Sequence, residues 1–298
     1  MKGKVYISAY LGRAQHGYSV ASGLKEKLGK FGYEVLEIDN HKKNEWCRDY
    51  MPVVTRENQL VQFKYAPGYM TDTTKWSERI PDHSKIHREH NLQCINAIDI
   101  KLDGGAIEIY GKQGIISDRV FRDNPGNEKD LIEKIQNYLS LDRIIVVPQY
   151  PYDFTGHVDG MVRFIDNETV LINDLSEEMK LLAEGEKEKK NIPRCKLIKN
   201  WYYSFLMTFH NAGLKTEILP SNYAKNESDK YGNGIYLNFL RLLDLIVMPS
   251  YNDKKFDDAA KNKLMVLYER EVITIDASKL AREGGMINCV TWTDHYVV

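Results

Sequence analysis

An α/β fold assembled from five related units is what the amino-acid sequence predicts, and two observations carry that prediction. One pattern recurs along the chain: an amphipathic, helix-like run, a short break, then an apolar, strand-like run. Between the copies lie shorter alternating runs with polar turns, which read as β-hairpins. Each unit is therefore strands plus one helix. In α/β units whose strands point the same way, the loops after the strand ends converge on one face and carry the site.

The elements follow in order. GLKEKLGKFGYEVLEID (23–39) is the first helix–strand copy, and VVTRENQLVQFKY (53–65) is a hairpin turning at Glu57-Asn58. IHREHNLQCINAIDIKLD (86–103) is the second copy, followed by the hairpin AIEIYGKQGIISD (106–118), which turns at Gly111-Lys112. LIEKIQNYLSLDRIIVVP (131–148) is the third, and MVRFIDNETVLIND (161–174) is a hairpin turning at Asp166-Asn167. FLMTFHNAGLKTEILP (205–220) and LMVLYEREVITIDA (264–277) complete the five. The run SEEMKLLAEGEKEKK (176–190) reads as a charged, solvated helix without a function. No Pro- or Gly/Ser-rich linker interrupts the chain, which predicts a single domain over 1–298.

Composition excludes several function classes. Forty-one Lys and Arg stand against 42 Asp and Glu, a net charge of −1, so the basic excess of a nucleic-acid binder is missing. No apolar run approaches the roughly 20 residues a membrane span needs, and the opening MKGKVYISAY is too alternating for a signal peptide, which predicts a cytoplasmic protein. Cys47, Cys94, Cys195 and Cys289 form no C-x-x-C pair, against a zinc site or a disulfide framework.

The loops after the five strand runs concentrate the chemistry. They hold EWCRDYMP with Arg48 and Asp49, LDGGAIEI with Asp103, DFTGHVDG with His157 and Asp159, YGNGIYLNF, and EGGMINC with Cys289. Taken singly, a histidine is more often structural, a cysteine a core filler and an aspartate a surface cap. A thiol, an imidazole and three carboxylates at equivalent places in separate units point instead to a site. In GHVD an extended backbone aims His157 and Asp159 into the same cavity, with Gly156 and Gly160 leaving room.

From Trp46 to Thr291 these motifs resemble the guanidine-modifying enzymes of the pentein superfamily, in the agmatine deiminase and bacterial peptidylarginine deiminase branch. WCRDYMP is similar to W-x-R-D-x-G-P, LDGGAIEI to the acidic-G-G segment, GHVDGMVRF to G-H-x-D-x-x-x-R-F, and EGGMINCVT to G-G-G-x-x-H-C-x-T. The resemblance implies a five-unit pseudo-symmetric α/β propeller with the active site on its central axis. It also implies a hydrolase that converts a guanidino group to a ureido group with release of ammonia, needing neither metal nor organic cofactor. The partner is then a small guanidino compound or an arginine-containing peptide.

In that family's terms Cys289 is the nucleophile, His157 the acid and base, and Asp103 the carboxylate that orients the imidazole. Asp49 and Asp159 grip the guanidinium nitrogens, and Asn238 lines the site. The thiolate is favoured by the bound guanidinium and by His157. Arg48 and Arg163 read as structural ion pairs with the loop carboxylates. Met51 replaces a family Gly and Asn288 a family His, and Asn donates hydrogen bonds without titrating. The chain also lacks the segment W-x-P-H-x-x-T-W that shapes the agmatine pocket in the family, so besides agmatine, free arginine, a peptidyl arginine or another guanidino compound stays open as substrate. An amidinotransferase using the same Cys–His–carboxylate set is the alternative function, and a non-catalytic binding protein on the same scaffold the third.

Overall fold

The computed structural model describes residues 2–71, 74–176, 178–180, 192–222 and 234–297. Fifteen strands among them form five three-stranded sheets. β1 (Gly3–Ser8) and β2 (Tyr33–Ile38) share a sheet with β15 (Thr291–Trp292). The second sheet holds β3 (Val53–Val54), β4 (Leu60–Lys64) and β5 (Cys94–Lys101). β6 (Ile107–Tyr110), β7 (Gln113–Ser117) and β8 (Arg143–Val147) make the third; β9 (Val162–Phe164), β10 (Thr169–Asn173) and β11 (Lys215–Leu219) make the fourth. β12 (Leu240–Arg241), β13 (Leu245–Ser250) and β14 (Glu271–Asp276) make the last.

All five sheets repeat one plan. The central strand pairs antiparallel with one neighbour and parallel with the other. A parallel pair needs a crossover, and the helices Tyr18–Lys30, His83–His90, Glu128–Leu139, Ile192–Asn211 and Lys254–Tyr268 supply them. Local chemistry sets their ends: Asn127 accepts from the Lys129 and Asp130 amides, and Asp253 caps Phe256. Leu131, Ile135 and Leu139 recur every four residues and bury one face of the third helix. The three expected hairpins form as read, with Asn58 (φ 60°) and Gly111 (φ 59°) in the left-handed conformation their tight turns require. The β12–β13 hairpin and the β15–β1 pairing are additional to the expected elements.

Five apolar clusters join the sheets in succession. Tyr6 and Ile38 of the first pack with Tyr65 and Ile86 of the second unit. Val61 and Phe63 meet Ile116 and Ile135, and Ile145 and Val147 meet Trp201 and Phe205. Leu171 and Leu219 meet Ile246 and Leu264, and Val247 and Ile275 return to Val5 and Leu24 of the first unit. Fully burying each such side chain is worth about 1.5–3 kcal/mol, so the inter-sheet contacts, not the short ladders, hold the units together. No helix among the described residues is long and apolar enough to cross a membrane.

The charged run at 176–190 lies mostly outside the described residues. Of its described part, Glu178 lines a cavity with a largely aromatic wall.

Candidate active site

Each unit delivers side chains to the site from the loop after its third strand. Asp49 comes from the single helical turn Cys47–Tyr50 after β2, and Asp103 precedes the 3₁₀ turn Gly104–Ala106 after β5. His157 and Asp159 follow β8, Asn238 precedes β12, and Cys289 lies between β14 and β15. All six side chains are buried. GHVD is not extended as expected: Val158–Gly160 forms a 3₁₀ turn. The tighter rise of that turn still leaves both His157 and Asp159 lining one cavity.

His157 Nε2 lies 3.0 Å from Asp103 Oδ2, and its Nδ1 lies 3.6 Å from Asp49 Oδ1. With Nε2 engaged, Nδ1 is the nitrogen left for chemistry. Tyr69 also donates to Asp103 Oδ2 at 3.3 Å, a partner the sequence spacing did not reveal. Asp49 accepts from the Gly105 amide at 3.2 Å. A Cβ at Gly105 would stand 2.7 Å from Asp49 Oδ1 and 2.8 Å from His157 Nδ1. Only glycine permits this approach.

Around the thiol, Asn238 Oδ1 accepts from the backbone amides of Asn288 (3.0 Å) and Cys289 (3.3 Å), which fixes the direction of that amide. Cys289 Sγ then faces an oxygen, 3.4 Å away, and donates more weakly to Asp159 Oδ2 at 3.7 Å. Asn288 Nδ2 donates to the same Asp159 oxygen at 2.8 Å. Arg48 tethers this loop from below: its amide donates to the Cys289 carbonyl (3.0 Å) and its Nε to the Asn288 carbonyl (3.4 Å). The expected ion pair of Arg48 with a loop carboxylate is therefore absent among the described residues. Arg163 pairs instead with Glu108 of strand β6, Nε to Oε2 at 3.1 Å, as an ionic contact rather than an aligned hydrogen bond.

The electrostatics match the geometry. Burial would lower the His157 pKa, but Asp49, the Asp103 hydrogen bond and charge, and Asp159 outweigh it and raise it to about 10. Burial, with Asp103 and Asp159 nearby, raises Asp49, and His157 opposes the rise. The titrations of the two groups are linked through this contact, and Asp103 on the far side of the ring favours the imidazolium. Burial first, then Asp159 and Asp49, push the Cys289 thiol well above its ordinary value.

His157, Asp159, Asn238 and Cys289 line one cavity that opens to solvent. Its outer wall is aromatic, with Tyr150, Tyr152, Phe154, Trp201 and Tyr202, and Glu178 stands among them, accepting from Tyr150 Oη at 2.6 Å. No Lys or Arg lines it among the described residues. These wall residues were not read from the sequence, although YPYDF (150–154), one residue before GHVD, is the signal that could have found Tyr150, Tyr152 and Phe154.

Residues 12–294 match the model of the Porphyromonas-type peptidyl-arginine deiminase family. The chain belongs to that family. The agmatine deiminase of Medicago truncatula is 26% identical over 72% of this chain, which spans 60% of that relative's length. The agmatine deiminase structure from Enterococcus faecalis superposes with a TM-score of 0.70 at 18% identity, covering 98% of this chain and 93% of that one. A dimethylarginine dimethylaminohydrolase adduct, at TM-score 0.55 and 15% identity, covers 98% and 100%. At such identities the likeness of these structures is one of fold, the α/β pentein fold of this deiminase family.

Proposed function

We propose that this protein is a guanidino-group deiminase, with Cys289 as nucleophile, His157 as acid and base, Asp103 as its orienting carboxylate, and Asp49 and Asp159 as the guanidinium clamp. The observation that carries the reading is the thiol set beside Asp159 and Asn238 in the same cavity as an imidazole held by Asp103. The five sheets, joined in turn by apolar clusters that return from the last unit to the first, support one domain over 1–298, a five-unit α/β propeller with these loops at its axis. Four free thiols fit a reducing cytoplasm.

The chemistry follows from the charges. A bound guanidinium cancels the repulsion of Asp49 and Asp159 that holds the proton on Cys289, and the thiol proton leaves to solvent. The thiolate bonds to the guanidinium carbon, and the imidazolium of His157 protonates the departing amine as its C–N bond breaks. The resulting thiouronium is attacked by water, whose proton His157 takes, and C–S cleavage returns the thiolate and releases the ureido product.

A substrate tail in this cavity would meet aromatic faces and Glu178, and among the described residues no cation lines it to receive a carboxylate. This favours guanidino amines of the agmatine type over free arginine, whose α-carboxylate would be buried unpaired. Ammonia release screened over agmatine, arginine and arginine peptides tests the reading, with acid-quenched protein analysed for an amidino adduct on the Cys289 peptide. Amidino transfer to an added amine without ammonia release would replace hydrolysis by the transferase reading. No turnover of any guanidine, with no adduct on Cys289, would overturn both.

A further inference from the structure

A second chamber, with about 690 Å³ of empty space, shares Asn288 with the catalytic loop and is lined by Arg48, Arg163, Arg241 and Glu108. We propose that this chamber binds a small oxyanion of the phosphate class through its three guanidinium groups. Arg163 and Arg241 are buried, and Arg48 is only partly covered where it borders the chamber.

Charge balance is the first argument. Glu108 engages Arg163, but Arg241 spends its donors on the carbonyls of Phe164 (3.0 Å) and Val297 (3.3 Å), and Arg48 donates to the carbonyl of Asn288. Among the described residues neither Arg48 nor Arg241 pairs with a carboxylate. A carbonyl satisfies an N–H without neutralising the cation, so among the described residues of the chamber wall three guanidinium charges meet the one carboxylate of Glu108. Buried charge without a counter-ion is costly, and a bound oxyanion removes that cost. Burial and then the charge of Arg163 lower the pKa of Arg48, the signature of like charges held together.

Donor supply is the second. Each guanidinium has five N–H groups in a planar fork that matches the oxygens of phosphate. Arg48 has one side-chain donor engaged and Arg241 two, which leaves both with N–H groups for a ligand. The chamber is also electrostatically linked to the catalytic cavity, since Asp159 acts on Arg48 favourably. Neutralising Asp159 with a guanidinium makes the arginine chamber more positive, so cation and anion strengthen each other's binding. This coupling rests on the proposed function; the anion site does not.

The test is calorimetric titration of inorganic phosphate into the intact protein at fixed ionic strength, with chloride as control. Saturable binding is expected, weakened about tenfold or more in Arg48→Gln and in Arg241→Gln, as loss of a charge-assisted hydrogen bond implies. Arg241→Lys, which keeps the charge, serves if Arg241→Gln fails to fold by circular dichroism, and its loss should be smaller than that of Arg48→Gln. Heats no different from chloride, or a folded Arg48→Gln protein that binds phosphate like the parent, would overturn the site. Repeating the titration on Cys289→Ser with agmatine present should tighten phosphate binding; an unchanged affinity would overturn the coupling.

Discussion

Asn288 and Asp159 lie 129 positions apart and are joined by a hydrogen bond in which Nδ2 donates to Oδ2 at 2.8 Å. The same carboxylate oxygen faces the Cys289 thiol. Asn288 thereby holds in place the carboxylate proposed as part of the guanidinium clamp, without adding a titrating group. Asn288→Ala removes that donor, and a hydrogen bond to a charged group is worth about 1.5–3 kcal/mol, so kcat/KM should fall about ten- to a hundredfold. Asn288→Asp places like charges together and should fall further. Steady-state kinetics on both variants check this, and parental kinetics for Asn288→Ala would rule out the positioning role.

Cys289→Ser should abolish turnover while retaining substrate binding, because a hydroxyl lacks the nucleophilicity of a thiolate. Calorimetry with the substrate measures the retained affinity. Alkylation with iodoacetamide separates the four thiols. In the empty protein Cys289 should react more slowly at pH 7 than a free thiol with its pKa of about 8.5, because its own is raised. Asp159→Asn, which removes a charge that raises it, should speed the reaction.

The imidazole supplies a pH prediction with a definite sign. A histidine whose folded pKa is raised stabilises the fold fully below its unfolded value, about 6.5. That contribution is lost as pH rises from there towards about 10. The His157 ring signals in an NMR titration should therefore still report imidazolium at pH 8. Asp103→Asn removes a hydrogen bond and a charge that favour the cation, and should move the midpoint down. A midpoint near 6.5 in the parent would contradict the ion-paired assignment.

Gly105→Ala offers a test of packing against chemistry. The added Cβ crowds Asp49 and His157 rather than the apolar core. A displacement of about 1 Å in a catalytic group costs on the order of a hundredfold in rate, so activity should fall that far while the thermal midpoint changes little. An equal loss of stability and activity would place the glycine's importance in folding instead.

Glu178→Gln should raise KM for agmatine and leave KM for an alkylguanidine with an uncharged tail unchanged. The carboxylate stands in the aromatic wall, away from the thiol loop in sequence but in the same cavity. Parallel kinetics with the two substrates read the difference. A common shift for both would show that Glu178 shapes the wall without sensing the tail.

The helix–strand copies and three hairpins were legible because amphipathic period and polar turns are local signals. The β12–β13 hairpin was not, since LRLLDLIVMPS (240–250) offers one charged turn inside an almost unbroken apolar run. Both strands are buried, so the alternation that marks a half-exposed strand never develops. Cys289, His157, Asp103, Asp49 and Asp159 stood out through motif chemistry. Tyr69 did not, because its contact with Asp103 depends on a loop whose path is set by tertiary packing. The direction of Arg48 was likewise invisible, since a backbone carbonyl leaves no residue-type signature.

The pairing of β15 with β1 joins Tyr6 to Trp292 and Ile7 to Thr291. Cys289 sits two positions before that final strand, so the reactive thiol is seated by a contact between the two extremes of the chain. Such a long-range pairing is among the slowest to form. The seat of Cys289 thus depends on a pairing of high sequence separation, whose loop-closure cost is met by contacts made elsewhere in the five-sheet scaffold rather than by its own loop.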